Sequence, residues 1–461
     1  MDAKADFKVT VSKEETVAAM LPLQEHWLPF SNLDLLLPSV DVGVFFCYRK
    51  PEGYIRSFSS MVNVLKTALV QALVSYYAFA GEVVANAAGE PELLCNNRGV
   101  DFVEAYADVE LPQLDLHNPD QTIQGKLVPN KKHGVLSLQA TELRCGGIVV
   151  ACTFDHRIAD AYSANMFLVS WAQLARSNSI SLVPSFRRSL MNPRRPGCID
   201  SSLDQMYVPI SSLQPPKHHL HQPTDHLISR IYYIPSEQLN ELQSLACSNG
   251  YKRTKLESFS AFLWKMVALR AAKDGFKFTK MGIVVDGRVR LGEGDEQKAS
   301  LMCSYFGNVI SIPFGSQGVN ELIEKPLWWV ASQVHDFLEQ ALTKEHFLGM
   351  IDWVEAHRPE PALAKMYING SEEGPAFVVS SGQRFPVLKV DFGWDRPVFG
   401  SYHFPWGGDS GYVMPMPSPC REGDWVVYMH LSKRQLELIE AEAGNALRPL
   451  TFDHLQAVAS V

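Results

Sequence analysis

A histidine and an aspartate four positions apart, His156 and Asp160, have the types and spacing best suited to chemistry in this chain. The β-branched and aromatic residues of 148–154 predict a buried strand before them. The apolar residues that recur every three or four positions from Ala161 predict a helix after them. An imidazole has an ordinary pKa of about 6.5, so at pH 7 it is mostly neutral and can act as a general base. A satisfied surface or core histidine is the simpler alternative, and Asp160 could serve only as the N-cap of the helix.

The elements that position these residues mix strands and helices in both halves of the chain, which predicts an α/β fold. At 461 residues the chain is long for a single core, so two domains are expected. Residues 184–226 are rich in Pro, Ser and His and show no apolar period. We interpret them as a crossover linker between a domain of residues 1–183 and a domain of residues 227–461.

Polar residues mark several predicted boundaries in the second half. Thr254 and Ser432 each precede a Glu or Gln by three positions, which is the spacing of a capping box. Ser236 is also expected to cap a helix, and the apolar residues of 387–392 predict a strand.

The linker contains four histidines that are close together in sequence: His218, His219, His221 and His226. They could bind a metal ion, but their spacing fits no fixed site and no cysteine or acidic ligand set accompanies them. A solvated linker is the simpler interpretation, so no metal is predicted.

Composition argues against several classes of protein. With 46% hydrophobic and 20% charged residues, the chain can form packed cores. The net charge is −8 and there is no long basic run, so nucleic acid is not an expected partner. The N-terminus has no apolar signal core and no stretch approaches about 18 uninterrupted apolar residues, so neither secretion nor a membrane span is expected. The eight cysteines lack CxxC pairs and suit reduced thiols in a cytoplasmic protein, which we expect to be a monomer because no heptad pattern is present.

Motifs of other enzyme classes lack support. Residues 408–411 (GDSG) resemble the nucleophile loop of trypsin-like proteases, but Tyr412 replaces the next glycine and the all-β pattern of that fold is missing. The chain contains no GxSxG elbow, no GxGxxG after a strand, no Walker loop and no HExxH.

Two motifs in order resemble those of the plant BAHD acyltransferases. Residues 156–160 (HRIAD) are similar to the HxxxD motif of that family, and residues 391–395 (DFGWD) are similar to its DFGWG motif. Further similar segments span almost the whole chain: SNLDLL at 31–36, YYAFAGE at 76–82, CNNRGVDF at 95–102 and YFGN at 305–308. Within the family, the sequence looks closest to the coniferyl alcohol acyltransferases.

This resemblance implies two similar domains, each a mixed β-sheet with flanking helices, and an active-site channel at their interface. It implies acyl-CoA as a co-substrate, with no permanently bound cofactor, and a small-molecule acceptor that enters from the opposite face. His156 would remove the proton of the acceptor alcohol, which attacks the thioester carbonyl directly. Asp160 would turn away from the histidine and pair with Arg288, so that it orients the loop that carries His156.

Family position implies further site residues. The hydroxyl of Ser380 is the expected hydrogen-bond donor to the tetrahedral oxyanion. Thr254 and Lys255 lie where the family contacts the CoA arm, although a lysine at an exposed helix start is also ordinary. Gly382 stands where shikimate-type relatives have a tryptophan, and this difference is expected to enlarge the acceptor side.

The DFGWD segment is expected to be mainly structural. The resemblance assigns a structural role to Asp391, Phe392 and Gly393, and it makes Trp394 a candidate to line the pocket. Asp395 replaces the last glycine of the motif, and it would carry a conformational cost if that position needs a positive φ.

The resemblance implies a CoA-dependent O-acyltransferase that acts on a phenylpropanoid alcohol such as coniferyl alcohol, through a ternary complex without an acyl-enzyme. The first alternative is N-acylation of an amine, for which Asp352, Glu355 or Asp409 could supply an acidic pocket residue. The second alternative is a binding protein that has kept the scaffold without turnover. An esterase is a third, and the absence of a nucleophile–base motif counts against it.

Overall fold

The computed structural model describes residues 7–51, 57–213, 225–368 and 373–456. The strands of the first half are β1 (Val9–Val17), β2 (His26–Pro29), β3 (Asp41–Tyr48), β4 (Glu82–Ala85), β5 (Pro91–Cys95), β6 (Val100–Ala107), β7 (Leu136–Leu143), β8 (Ile148–Asp155) and β9 (Tyr207–Pro209). The helices of the first half are α1 (Phe58–Ser75), α2 (Pro119–Thr122), α3 (Ala161–Ala175) and α4 (Leu203–Met206).

The strands of the second half are β10 (Leu227–Ile234), β11 (Phe278–Asp286), β12 (Ile310–Ser311), β13 (Phe314–Gly318), β14 (Ala362–Ala364), β15 (Glu373–Ser380), β16 (Phe399–His403), β17 (Gly411–Pro417), β18 (Trp425–Ser432) and β19 (Arg448–Pro449). Its helices are α5 (Ser236–Ala246), α6 (Lys255–Lys273), α7 (Arg288–Leu291), α8 (Glu296–Ser304), α9 (Val319–Glu324), α10 (Leu327–Ala341), α11 (Lys344–His357) and α12 (Lys433–Ala443).

The first domain is built on a mixed sheet with the strand order β1-β6-β7-β8-β3-β16. Only β6 and β7 run parallel. Every residue of β8 is buried, which fits its nearly continuous apolar sequence. Helices α1 and α3 pack against each other, and the indole N–H of Trp171 donates to the carbonyl of Leu65 at 2.9 Å.

Helix α1 is long and apolar enough, by length and composition, to cross a membrane. Its residues Leu65, Leu69 and Leu73 are buried in the core of the first domain. A helix that packs in a protein core needs the same apolar composition as one that crosses a membrane, so the packing of α1 accounts for its composition.

The second domain has a larger mixed sheet with the order β12-β11-β15-β17-β18-β10-β19, and β13 pairs with β11. Strands β11, β15 and β17 are parallel, and the other pairs are antiparallel. Helix α6 lies at the centre of the helical layer, in contact with α5, α9, α10 and α12. The predicted α/β fold of two domains with mixed sheets and flanking helices is confirmed.

The prediction of one contiguous second domain is incomplete, because within it the chain returns to the first domain. Strand β16 pairs with β3 and forms an edge of the first sheet. The predicted strand at 387–392 is wrong, because Val387–Lys389 form a short 3₁₀ turn instead. The residues Val387, Val390 and Phe392 enter the core of the first domain as separate anchors. These buried apolar residues lie three and two positions apart in an irregular segment, and the sequence alone does not distinguish that pattern from a strand.

The described part of the crossover is structured against the second domain. Strand β9 pairs with β14, and Arg194 forms a 2.7 Å ion pair with Asp352 on α11. Of the clustered histidines, His218, His219 and His221 lie outside the described residues. His226 accepts a hydrogen bond through its carbonyl from the Lys433 N–H at 3.1 Å. Within the described ranges, no group of three or more His, Cys, Asp or Glu residues could hold a metal ion.

Both predicted capping boxes are present, at Thr254 and at Ser432. The predicted Ser236 cap is wrong, because Ser236 is the first residue of α5 and Pro235 occupies the cap position without a side-chain bond. The backbone N–H of Ser236 donates to the carboxylate of Asp424 at 2.8 Å, so a distant residue satisfies this helix start.

Candidate functional site

His156 lies immediately after β8, at the interface of the two domains. Its backbone N–H donates to the carbonyl of Val40 at 2.9 Å, and its imidazole lines a cavity of about 340 Å³. Its Nδ1 atom is buried and has no hydrogen-bond partner among the described residues. The ring is also in edge contact with Phe404, at 6.1 Å between ring centroids. Because Nδ1 is buried, the other ring nitrogen, Nε2, is the atom that can exchange a proton with a ligand in the cavity.

Asp160 has both of the roles that the sequence suggested for it. As the N-cap of α3, its carboxylate accepts from the Ser163 N–H at 2.9 Å. The same carboxylate accepts from the Arg288 guanidinium at 2.7 and 3.1 Å and from the Val309 N–H at 3.1 Å. Burial alone would raise the pKa of Asp160, but the charge and hydrogen bonds of Arg288 and the two backbone N–H groups bring that pKa below its ordinary value. The predicted pairing of Asp160 with Arg288 is therefore present, and the carboxylate is held ionised.

Arg288 begins α7 and crosses from the second domain to the first. Besides Asp160, it donates to the Ser163 hydroxyl at 3.0 Å and to the Gly307 carbonyl at 2.9 Å. Its guanidinium also lies over the ring of Tyr162, 4.4 Å from the centroid. A second carboxylate, Asp286, is 3.2 Å from it. Burial raises the pKa of Asp286, and Arg288 offsets part of this rise.

Asn308 fixes the loop that carries His156, and sequence reasoning assigned it no role. Its amide donates to the carbonyls of His156 and Arg157 at 3.0 and 3.1 Å. Asp34 accepts from both the side chain and the backbone N–H of Asn308, at 3.0 and 2.7 Å. Asn308 is the last residue of the YFGN segment, so the family resemblance includes this residue without indicating its function.

Ser380 ends β15 and lines the same cavity as His156. Tyr412 lies on the neighbouring parallel strand β17 and lines the same cavity. Burial raises the pKa of Tyr412 well above its ordinary value, so its hydroxyl keeps its proton. A pair of hydroxyl groups thus faces the cavity.

Trp394 does not line the cavity, which corrects its assignment as a pocket residue. Its side chain is buried in the core of the first domain, stacked on Phe392 at 5.5 Å and in edge contact with Tyr48 at 6.1 Å. Asp391 accepts from the Gly393 N–H at 2.8 Å and lies 3.2 Å from Arg176. The segment therefore forms a turn that is packed on the first domain.

The last position of this segment has the backbone conformation that favours glycine. Asp395 has φ +99°, as does Gly393. The Asp395 carboxylate accepts a hydrogen bond from the next backbone N–H, that of Arg396, at 2.7 Å. Aspartate tolerates this region better than most residues because of such local bonds, but it lacks the freedom of glycine.

Gly382 borders the cavity, but its missing side chain does not enlarge it. A Cβ at this position would lie 2.7 Å from Met416 Cγ, 2.8 Å from the Pro415 carbonyl oxygen and 2.9 Å from Met414 Cγ. The side-chain direction therefore points at β17, and a tryptophan would require that strand to move.

Thr254 and Lys255 are not brought together with His156. They begin α6, where the Thr254 N–H donates to Glu257 at 2.7 Å and the Glu257 N–H donates back to the Thr254 hydroxyl at 3.2 Å. Neither residue belongs to the cavity lining. Lys252 and Arg253 precede them, so this helix start has a basic sequence.

The acidic residues considered for an amine acceptor lie elsewhere. Asp352 is held by Arg194, Glu355 accepts from the Asn32 amide at 3.1 Å, and Asp409 is exposed. The described lining of the cavity includes two carboxylates, Asp160 and Asp286, and Arg288 engages both.

Sequence reasoning missed most of the cavity lining. The lining is largely apolar, and besides aliphatic residues it includes nine aromatic ones: Phe154, Tyr162, Tyr207, Tyr367, Phe385, Tyr402, Phe404, Trp406 and Tyr412. Asn165, Ser381, Gln383 and Arg384 add polar groups. A signal existed for Asn165, which is a polar residue four positions after Ala161 on the apolar stripe of α3. The aromatic residues come from distant segments, so only the fold brings them together.

The fold and the interdomain site together define a two-domain α/β protein with a cavity between its domains. The chain matches the model of the family described as "Transferase family" over residues 7–445. It is 29% identical over 451 residues to shikimate O-hydroxycinnamoyltransferase of Nicotiana tabacum, which covers 93% of this chain and 98% of the relative. It is 30% identical over 424 residues to anthranilate N-benzoyltransferase protein 1 of Dianthus caryophyllus, with coverage of 87% and 91%.

Two solved structures have a similar fold. Vinorine synthase matches with a TM-score of 0.71 and 19% identity, over 97% of this chain and 100% of that one. TRI101 of F. graminearum, complexed with coenzyme A and deoxynivalenol, matches with a TM-score of 0.72 and 14% identity, over 92% and 99%. The chain belongs to this transferase family, that of the BAHD acyltransferases, and is an acyl-CoA-dependent acyltransferase.

Proposed function

We propose that this protein transfers an acyl group from a CoA thioester to the hydroxyl of an aromatic alcohol of the phenylpropanoid type, with coniferyl alcohol as the model acceptor. The observation that carries the proposal is the position of His156. Its imidazole faces a largely apolar cavity between the domains, while the neighbouring carboxylate of Asp160 is bound by Arg288.

His156 acts in this proposal as the general base. The acceptor hydroxyl gives its proton to Nε2, and its oxygen attacks the thioester carbonyl. The tetrahedral intermediate then collapses, the C–S bond breaks, and the CoA sulfur receives the proton from the imidazolium. No bond to the protein forms, so the reaction requires both substrates to be bound together.

Asp160 positions the base and does not relay its proton. Its two carboxylate oxygens accept from Arg288, Ser163 and Val309. The low pKa that these bonds impose keeps the carboxylate ionised, and its lone pairs are already used. The positioning works through the backbone, because Asp160 fixes the start of α3 and Asn308 fixes the carbonyl of His156.

Ser380 is the proposed oxyanion donor, with Tyr412 as its partner. A hydroxyl that is fixed at the end of a β-strand can stabilise developing charge with little reorganisation. The location of both hydroxyl groups on the cavity wall supports this role.

An alcohol is favoured over an amine as the acceptor. A cationic amine would gain from a free carboxylate in the cavity, and among the described lining residues both carboxylates are engaged by Arg288. The aromatic lining instead suits a flat, uncharged ring. One relative is named for N-benzoyl transfer, so amide formation is the alternative that the experiment must separate.

Binding of the donor is proposed to involve the basic helix start at Lys252, Arg253 and Lys255. A helix N-terminus with nearby cations attracts phosphate groups, of which CoA carries several. We also propose that the protein acts as a monomer in the cytoplasm, and its eight unpaired cysteines support a reducing compartment.

The test is release of free CoA thiol from acetyl-CoA and benzoyl-CoA, with coniferyl alcohol and an aromatic amine offered separately as acceptors. We expect fast release with the alcohol and formation of the ester, identified by mass spectrometry. Turnover with the amine alone would move the assignment to amide synthesis. Thiol release that is equally fast without any acceptor would identify a thioesterase and contradict the proposal.

A further inference from the structure

Asn165 presents a polar amide to a largely apolar cavity, whose other polar lining residues include Ser381, Gln383 and Arg384. It lies on α3, one turn after Ala161 and on the same helix face, and both residues line the cavity. Its amide has one oxygen acceptor and two N–H donors. The oxygen accepts from the hydroxyl of Tyr402 at 2.9 Å.

Tyr402 fixes the orientation of this amide. Its ring is buried and its hydroxyl is 3.4 Å from the carbonyl of Ala161, farther than from Asn165. The phenolic proton therefore points to the Asn165 oxygen. Among the described residues the amide N–H groups have no hydrogen-bond acceptor, so they can donate to a ligand. Burial raises the pKa of Tyr402 well above its ordinary value, so this donor keeps its proton at every working pH.

We propose that Asn165, anchored by Tyr402, is a specificity-determining residue that donates a hydrogen bond to an oxygen substituent on the aromatic ring of a bound substrate. The ligand chemistry is a neutral oxygen acceptor, such as a phenol or a methoxy group, on either the acceptor alcohol or the acyl group. This inference rests on the proposed function, because it assumes that an aromatic substrate occupies the cavity.

The largely apolar lining explains why a donor from Asn165 matters here. The carboxylates of Asp160 and Asp286 accept hydrogen bonds from Arg288, and the Ser380 hydroxyl is assigned to the oxyanion. A ring oxygen that loses its hydrogen bonds to water on entering an aromatic pocket needs a replacement donor. Asn165 supplies that donor, and a substrate without the oxygen leaves it unpaired.

The test compares matched substrates in three variants. Asn165→Leu removes the amide at similar size. Asn165→Asp keeps an oxygen that accepts from Tyr402 but replaces the N–H donors by an acceptor. Tyr402→Phe removes the hydroxyl that orients the amide. The acceptor arm compares coniferyl alcohol with cinnamyl alcohol, which lacks the ring oxygens. The acyl arm compares 4-hydroxybenzoyl-CoA with benzoyl-CoA.

The wild-type protein should favour the oxygenated member of one arm, and that arm identifies which substrate reaches Asn165. In Asn165→Leu the preference, measured as the ratio of kcat/KM for the oxygenated substrate to kcat/KM for the plain one, should fall about five- to tenfold, as expected for one hydrogen bond. Asn165→Asp should lose the preference as well, and Tyr402→Phe should weaken it. An equal loss for both members of each pair would show a packing role and overturn the inference.

Binding separates this inference from the proposed function. Calorimetric titration of the same alcohols and acyl-CoAs needs no turnover. If no acyl transfer occurs but the oxygenated ligand still binds more tightly through Asn165, the proposed reaction fails and this site stands. If transfer occurs and Asn165→Leu leaves every preference intact, the site fails and the reaction stands.

Discussion

Arg288 of the second domain donates two hydrogen bonds to Asp160 of the first, at 2.7 and 3.1 Å, and both side chains are only 3% exposed. This ion pair joins the domains at the point where the loop of His156 turns into α3. It therefore links the relative placement of the domains to the orientation of the proposed base.

Loss of one partner should leave a buried charge without compensation. We expect Arg288→Met to lower the free energy of unfolding by about 3–5 kcal/mol, because ionised Asp160 would remain in the interior. The double variant Asp160→Asn with Arg288→Met should recover part of this loss. Chemical denaturation followed by intrinsic fluorescence measures both. Equal destabilisation in the single and double variants would argue against a coupled pair.

The buried His403 is expected to make the protein less stable in mild acid. Burial lowers its pKa to about 4, with Asp120 acting to raise that pKa and His430 acting to lower it. In the unfolded chain this imidazole takes up a proton near pH 6.5, so the free energy of unfolding should fall as the pH drops from about 6.5 to about 4. The loss should reach roughly 3 kcal/mol for the full difference between the two pKa values. In His403→Phe this part of the slope should disappear. Thermal unfolding from pH 7.5 to 4.5 measures the difference, and parallel slopes would contradict it.

Asp395 should be replaceable by glycine with a gain in stability. Its φ of +99° is strained for any residue with a Cβ, and the bond to the Arg396 N–H compensates only in part. Asp395→Gly should raise the free energy of unfolding by about 0.5–1 kcal/mol, and Asp395→Ala should lower it because alanine lacks the local bond. The melting temperatures of the three proteins should follow this order. A less stable glycine variant would refute the argument.

A tryptophan at position 382 should damage the fold before it changes specificity. Its Cβ would meet the Pro415 carbonyl oxygen and two methionine side chains within 3 Å. We expect Gly382→Trp to lower the melting temperature and kcat/KM for all acceptors, and Gly382→Ala to show a smaller effect of the same kind. A stable Gly382→Trp protein with a merely altered acceptor preference would show that the side chain does point into the cavity.

These residues also show where sequence reasoning succeeds and where it stops. The pairing of Asp160 with Arg288, the capping boxes and the buried β8 follow from local patterns or from a motif shared with relatives. The position of Trp394 could not be inferred, because the DFGWD segment returns to the first domain through β16 and only long-range strand pairing decides that path. The direction of Gly382 and the aromatic wall depend on tertiary geometry for the same reason.

Asn165 is an intermediate case. Its place one turn after Ala161, the first residue of the apolar stripe of α3, is visible in the sequence, but its orientation depends on Tyr402, which lies more than 200 residues later in the chain. Helical periodicity can therefore flag such a residue, whereas its function needs the partner from the other half of the protein.

The most direct test of the account is the rate of alcohol-dependent thiol release by His156→Ala, with His133→Ala as the control because His133 is an exposed histidine. Unfolding and acyl-CoA binding should be measured on the same preparations. The account predicts that His156→Ala loses about 10²–10⁴ in kcat with acyl-CoA binding and melting temperature retained, while His133→Ala behaves as wild type. A folded, CoA-binding His156→Ala protein that keeps its wild-type rate would contradict the assignment of His156 as the general base.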